Sequence, residues 1–391
     1  MNTASKKSRV CMFSHYFPPH YSGAAKQAIS LAHQLKKRGH SIEFITVKWP
    51  GLEAEDNFEG FPVHRVESGH GRRHKELRLW WNLFQYVLRR RKDFDILHSH
   101  GAYYTNSIIG PLARLAGWKS LVKASLANND LHGLGASLTG KVHYRFLKLV
   151  DAYIAISREL GKEFLSTGLP ARKVHYIPNG VDIERFHPTT PEERLNIRRM
   201  RGLPEKKKIA LTIGVFDQRK NIGWLLKEWV RKSAFGTGAM LLAIGPQSRE
   251  DVDGSFLGSL RKMAEENPDI LYLMDHVNDI ERYYRAADLF ILPSYSEGMP
   301  NVVLEAMASG LPCAVTQVSG SEELVQDGET GYTFRAGDTE GLCEAIQKIL
   351  STTDTEGGMG ARARRLIEEK YAVSIVAERY EELYQRLINS N

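Results

Sequence analysis

Short apolar runs recur along this chain, most of them closed by Gly, Ser, Pro or Asn. They lie at residues 10–13, 42–47, 120–126 and 152–157, with a similar run at 95–101 leading into a loop. A second series follows at 209–213, 240–244, 270–274, 288–292, 314–318 and 328–334. Runs of that length, largely apolar at successive positions, predict strands buried on both faces. After the first run come a loop through Gly23, a helix over 26–38 closed by Gly39, and the second run. Strand, loop, helix, strand is a βαβ unit, which predicts a parallel sheet with ligand at the carboxyl ends of its strands. The stretch 187–206 interrupts the alternation; it is polar and carries Pro188, Pro191 and Pro204. It reads as a linker between a first α/β domain, 1–186, and a second, 207–371. The chain closes on 372–391, where Ile375, Val376, Tyr380, Leu383, Tyr384 and Leu387 follow helical spacing.

Residues 293–312 carry more than architecture. They begin where the 288–292 run ends, turn through Ser, Gly and Pro, and enter a helix. Pro300 fits its first position, where a missing N–H costs nothing. Gly310 fits the position just past its end, and Pro312 stops further winding. Leu304, Met307 and Ala308 form one apolar stripe. The amides of Asn301, Val302 and Val303 would then lack intrahelical acceptors at the positive end of the macrodipole, an anion site suited to a diphosphate. Glu297 lies just before that helix and Glu305 one turn inside it. Carboxylates beside an anion site are electrostatically costly unless they accept hydrogen bonds from ligand hydroxyls. The layout fits a ligand with phosphates in the middle and hydroxyls at both ends, as in a nucleotide-sugar. The alternative is a solvated turn followed by a core helix.

Length and composition narrow the classes. At 391 residues the chain suits two ordinary domains, and its 42% apolar content is normal for a globular protein. No run reaches the roughly 18 apolar residues of a membrane span. The first apolar run, 10–14, is too brief for the core of a signal peptide. Cys11, Cys313 and Cys343 have no metal-ligand spacing and read as buried thiols in a reducing compartment, with the cytoplasm as default. Neither a Walker loop nor a full Gly-x-Gly-x-x-Gly is present, so nucleotide hydrolysis and hydride transfer fit poorly.

Charge divides unevenly. Residues 1–188 hold 28 Lys and Arg against 15 Asp and Glu, a net +13; residues 189–391 hold 25 against 31, a net −6. No nucleic-acid module is visible, so the basic half points to an anionic membrane face or a phosphate-bearing acceptor. Within it, Leu77, Trp80, Trp81, Phe84 and Leu88 fall on one helical face among Arg72, Arg73, Lys75, Arg78 and the basic run 89–92. That face packs on the core, or dips into lipid while the cations meet headgroups.

The pattern Pro293-Ser294-x-x-Glu297-Gly298-x-Pro300-x-x-x-Leu304-Glu305-Ala306-Met307-Ala308-x-Gly310-x-Pro312 resembles the signature of the retaining glycosyltransferases of family 4. The resemblance implies the GT-B fold: two Rossmann-like parallel-sheet domains facing across a cleft, with the last helix returning to the first domain. It assigns Glu297 to the donor sugar, Glu305 to the ribose, and Gly298, Met299, Pro300, Asn301, Val302 and Val303 to the diphosphate. Residues 177–182 resemble the family's Ile-Pro-Asn-Gly-Val-Asp, which closes the first domain. The loop through Gly23 touches donor phosphate and acceptor in relatives, which usually have Gly-Gly there. After the 209–213 strand relatives read Gly-Arg, then Lys a few residues on; here Gly214 is followed by Val215, and Arg219 beside Lys220 can supply the guanidinium. Val277 falls where relatives hold the base. On the acceptor side the resemblance points to His100, in a similar Asp-x-x-His-x-His. Relatives also place a His near Leu126; it is absent here, and Lys123, Asn128 and Asp130 are the nearest polar groups.

The resulting expectation is a metal-independent, cofactor-free enzyme that moves a sugar from a nucleotide-sugar to an acceptor hydroxyl with retention of configuration. Its catalytic groups are Glu297, Arg219 and Lys220. Its acceptor is a glycan or lipid-linked molecule in the assembly of lipopolysaccharide, exopolysaccharide or another cell-surface glycan. The place of work is the cytoplasm or the inner face of the plasma membrane, with no nucleic-acid partner. Two alternatives stay open: a sugar-nucleotide epimerase of the same fold, and a non-catalytic nucleotide-sugar-binding subunit.

Overall fold

The structure, a computed structural model, describes residues 7–20, 22–69, 72–101, 104–126, 138–232, 238–351 and 357–390. It divides into two units, residues 1–180 with 373–391, and residues 181–372.

The first unit is built on eight strands: β1 (Arg9–Ser14), β2 (Ser41–Lys48), β3 (Glu55–Phe58), β4 (Phe61–Glu67), β5 (Ile96–His100), β6 (Lys119–Lys123), β7 (Ala152–Ala155) and β8 (Val174–Tyr176). Their order is β3-β4-β2-β1-β5-β6-β7-β8, parallel except for the antiparallel β3–β4 pair. Strand order reverses between β1 and β5, the switch point at which α/β sheets bind ligands. One face is covered by the helix Gly23–Lys37, through Ala25, Ala28, Leu31, Ala32 and Leu35, and by Val376, Tyr380, Leu383 and Tyr384 of the C-terminal helix Val373–Asn389. Glu381 anchors that last helix, accepting from Lys7 Nζ at 3.1 Å and pairing with His40 Nε2 at 3.1 Å.

The second unit holds β9 (Ile209–Ile213), β10 (Met240–Ile244), β11 (Leu271–Met274), β12 (Leu289–Leu292), β13 (Cys313–Thr316) and β14 (Gly331–Phe334). They form one parallel sheet in the order β11-β10-β9-β12-β13-β14, whose switch point lies between β9 and β12. β9 and β10 end in close approach: a Cβ on Gly245 would stand 1.7 Å from the Gly214 carbonyl oxygen, so only glycine fits there.

Several sequence expectations need correction. The stretch 187–206 is not plain linker: it contains the helix Pro191–Met200, inside the second unit. Pro191 begins that helix, and Thr190 caps it by accepting from the Glu193 amide. Arg198 points inward, donating to Ala286 O at 2.8 Å and pairing with the half-buried Asp288 at 2.7 Å. Asp288 in turn accepts from the Ile209 amide at the start of β9. Arg198→Ala would remove the nearest cation from a carboxylate that keeps Arg194 at 3.3 Å, Lys208 at 3.4 Å and the Ile209 amide. A loss of about 1–3 kcal/mol in urea unfolding is expected.

The second correction concerns the helix Arg72–Arg89. Its core-facing stripe is Leu79, Leu83, Tyr86 and Val87, whereas Leu77, Trp81 and Leu88 of the expected stripe are 64%, 58% and 39% exposed. Trp80 and Phe84 are half-buried. Of the three thiols, Cys11 and Cys313 are buried and Cys343 only half-buried. Among the described residues, no helix is long and apolar enough to cross a membrane.

Candidate functional site

The loops that follow β9 and β12 meet at the switch point of the second sheet. Asn221, at φ 55°, opens the helix Ile222–Arg231 and donates from Nδ2 to Pro293 O at 3.2 Å. The Tyr295 amide donates to Arg219 O at 2.9 Å, and Arg219 Nη1 to Ser296 O at 3.0 Å. Asp217 Oδ1 accepts from the Lys220 amide at 2.6 Å, which holds the cationic loop in its turn. These bonds hold three side chains together. Glu297, only 6% exposed, accepts from Lys220 Nζ at 2.7 Å, and Arg219 Nη1 stands 3.6 Å from its second oxygen. Burial pushes the Glu297 carboxyl up, but the charges of Lys220 and then Arg219 outweigh it and hold the group below its ordinary range. It is therefore an ionised acceptor at neutral pH.

Gly298, Met299 and Pro300 are buried, and they lead into the helix Asn301–Ala308. Pro300 is the cap of that helix rather than its first residue. Its carbonyl accepts from the Val303 amide at 3.1 Å, so one of the three amides expected to lack an intrahelical acceptor already has one. Asn301 is half-buried at the helix's leading end; the side chains of Val302 and Val303 pack inward. Gly310, at φ 75°, closes the helix, and Leu304, Met307 and Ala308 are fully buried. Glu305 accepts from the buried Tyr284 hydroxyl at 2.8 Å, which fixes its carboxylate one turn into the helix.

Two neighbours escaped the sequence reading. Tyr284 is one; nothing in its local pattern marks it as the partner of Glu305. Gly320 is the other: at φ 76°, a Cβ there would meet Gly298 O at 2.4 Å and Met299 Cα at 2.6 Å. The turn before the helix Ser321–Leu324 thus supports the Glu297 loop from below, and Ser319 Oγ also donates to Gly298 O, at 3.3 Å.

Of the remaining candidates, Gly214 lies against the Lys220 side chain, whose Cδ a Cβ at that position would meet at 3.5 Å. Gly214 is buried at the end of β9, its amide bonded to Ile244 O. Val277 is half-buried in the loop after β11, where Asp275 is taken by Arg261 at 2.7 Å. In the first unit Gly23 lies in the opening turn of a helix capped by Ser22, not in a loop. His100 and Lys123 end β5 and β6 opposite each other and are 1% and 5% exposed. Asn128 and Asp130 lie outside the described residues.

Two sequence profiles match this chain. One, described as Glycosyltransferase Family 4, matches residues 21–185; the other, Glycosyl transferases group 1, matches residues 207–352. The chain is 25% identical to the N-acetyl-alpha-D-glucosaminyl L-malate synthase of Bacillus anthracis, over 95% of this chain and 96% of that protein. It is 27% identical to the UDP-Gal:alpha-D-GlcNAc-diphosphoundecaprenol alpha-1,3-galactosyltransferase of Escherichia coli, over 68% of each. Among solved structures it superimposes on HepE of Anabaena, solved with UDP and glucose, at a TM-score of 0.79 and 17% identity, covering 97% of this chain and all of that one.

Proposed function

This chain belongs to glycosyltransferase family 4 and has the GT-B fold, and we propose that Glu297, Lys220 and Arg219 are the groups with which it moves a sugar from its nucleotide-sugar donor. It is a transferase, and its family retains anomeric configuration. The observation that carries the assignment is the buried, ionised Glu297 held by two cations immediately before a helix N-terminus.

In this reading the diphosphate lies at the leading end of the helix Asn301–Ala308, with Gly298 to Val302 supplying the loop and Glu305 accepting from the ribose. Glu297 accepts from sugar hydroxyls. Lys220 and Arg219 offset the charge that grows on the departing diphosphate, where preorganised cations lower the barrier most. Arg219 takes the place of the guanidinium absent at Val215. The bond from the anomeric carbon to phosphate breaks as the bond to the acceptor oxygen forms, and the acceptor's proton passes to the leaving phosphate on the same face. No metal or cofactor takes part. The relatives' names favour an acceptor in cell-surface glycan assembly, with His100 and Lys123 on the acceptor side. Incubation with UDP-, GDP- and ADP-sugars and an acceptor extract tests it: nucleotide released only when acceptor is present supports transfer. Isomerised donor without acceptor would support an epimerase, and tight donor binding without turnover a binding subunit.

The exposed stripe Leu77, Trp81 and Leu88 favours a membrane partner as well. Trp81 stacks on Phe84 at 5.5 Å, so the patch is a preformed aromatic surface. It sits in a unit whose 29 Lys and Arg outnumber its 16 Asp and Glu, a net +13. We propose that this stripe rests in the inner face of the plasma membrane while neighbouring cations meet anionic headgroups. Sedimentation with anionic vesicles should fall at least tenfold in Trp81→Ala and decline with salt. Binding indifferent to both would remove the membrane from the reading.

A further inference from the structure

Beneath the C-terminal helix, the first sheet buries a column of polar groups. His98 and His100 alternate on β5 and so share one face. Their rings are 4.2 Å apart, and His100 pairs in register with Lys123 of β6. The helix Val373–Asn389 covers them with two tyrosines: His98 Nδ1 and the Tyr384 hydroxyl share a hydrogen bond of 2.7 Å, and Tyr380 lies 5.2 Å from His98. Lys123 Nζ stands 5.9 Å from the centre of the Tyr380 ring. All five side chains are at least nine-tenths buried.

Most of this polarity is unsatisfied. Among the described residues, His98 Nε2, both ring nitrogens of His100 and the Tyr380 hydroxyl have no hydrogen-bond partner. Among the described residues, no carboxylate pairs with Lys123; burial alone pulls its ammonium down to about 7. Four orphaned atoms and a buried amine at one place are far more than native cores leave unexplained. They gather at the carboxyl ends of β5 and β6, beside the switch point of the sheet, where ligands reach α/β folds. Lys123 and the Tyr380 hydroxyl can donate, and each neutral imidazole adds one N–H beside one acceptor nitrogen. Among the described residues no acid faces the amine, so the group that best completes the set is an oxyanion.

We propose that His100, Lys123 and Tyr380 form a subsite for an anionic group, a phosphate or carboxylate, carried by the acceptor. The proposal rests on the acceptor-side reading above and adds the acceptor's charge to it. A neutral sugar leaves Lys123 as unpaired as it is in the free chain, whereas an oxyanion pairs it, so the anionic acceptor gains affinity that the neutral one does not.

The test titrates the full chain with orthophosphate and, separately, malonate at constant ionic strength, by calorimetry and thermal shift. The background is Lys220→Ala, which weakens the second unit's diphosphate site. Adding Lys123→Met, which fills the same space without charge, should weaken binding at least tenfold. Adding Tyr380→Phe, which removes one hydroxyl and keeps the ring, should weaken it several-fold. A response to orthophosphate but not malonate assigns a phosphate, and the reverse a carboxylate. No binding, or binding untouched by Lys123→Met, overturns the subsite. In a second arm, with Lys220 intact, sugar acceptors bearing phosphate or carboxylate should be used at least 100-fold better in kcat/KM than neutral ones, and Lys123→Met should erase that preference. Equal use of neutral acceptors overturns the subsite and leaves the transferase reading standing. Failure of every acceptor counts against the roles given to Glu297, Lys220 and Arg219, and the orthophosphate titration then decides the subsite alone.

Discussion

Lys220→Ala is expected to lower kcat/KM for every nucleotide-sugar the enzyme uses by about 10²–10³, a barrier increase of about 3–4 kcal/mol. Lys220 is the cation nearest Glu297, at 2.7 Å, and it sits in a loop fixed by Asp217 below and Pro293 beside it. Its charge therefore needs no reorganisation when the diphosphate leaves. The substitution acts twice, because it also withdraws the larger of the two charges that keep Glu297 ionised against burial. The acidic limb of the pH–rate profile should consequently move to higher pH, an effect that the loss of a mere surface cation would not produce. Glu297→Ala should damage sugar turnover more than nucleotide affinity, and the double variant should be far less impaired than the product of the two single losses, since the side chains act as a pair. Steady-state kinetics of the three variants, with nucleotide affinity measured by calorimetry, decide it. Near-wild-type rates in both single variants would mean that the pair is structural.

How much of this was readable beforehand follows from the range of the interactions. The strand, turn and helix across 288–312 are set by neighbours, so Gly310 and Pro312 marked the helix end correctly. Pro300 was misplaced by one position, because a proline satisfies the cap and the first turn about equally well. The same ambiguity hid the helix Pro191–Met200: prolines read as breakers, yet Pro191 stands where a proline starts a helix. The antiparallel partner β3 is exposed along most of its length, so it left no apolar pattern to find. Periodicity grouped Leu77, Trp81 and Leu88 on one face of their helix but could not say which of its two apolar stripes meets the core. Contacts that depend on strand order were out of reach. Lys220 and Glu297 are 77 residues apart and meet only because β9 and β12 are neighbours, and nothing local couples Tyr284 to Glu305 or Gly320 to Gly298.

The second large effect concerns acid and the same buried column in the first unit. Burial pulls His98 down to about 3 and His100 well below its ordinary value, with the charge of Lys123 adding to both and His98 also acting on His100. Lys123 itself falls to about 7. Each group binds its proton more weakly folded than unfolded, so the unfolded chain takes up more protons and stability rises with pH. The histidine contribution is complete above pH 6.5 and is lost as pH falls toward the folded values. His98 alone then accounts for about 2 kcal/mol at pH 5. Lys123 acts in a higher window, losing stability from pH 10.5 down to about 7. Lys123→Met should accordingly raise the unfolding free energy at pH 7 by up to about 4 kcal/mol, with the gain shrinking toward zero near pH 10.5. Urea unfolding from pH 5 to 10.5, with hydrogen exchange at β5 and β6 to follow the first unit, measures both windows. A wild-type stability flat between pH 7 and 5, or a Lys123→Met variant no more stable than wild type at pH 7, would mean that solvent reaches these groups and that their burial costs nothing. The stabilising variant would also be the one that loses the anionic acceptor, because the amine that destabilises the core alone is the one that an oxyanion would neutralise.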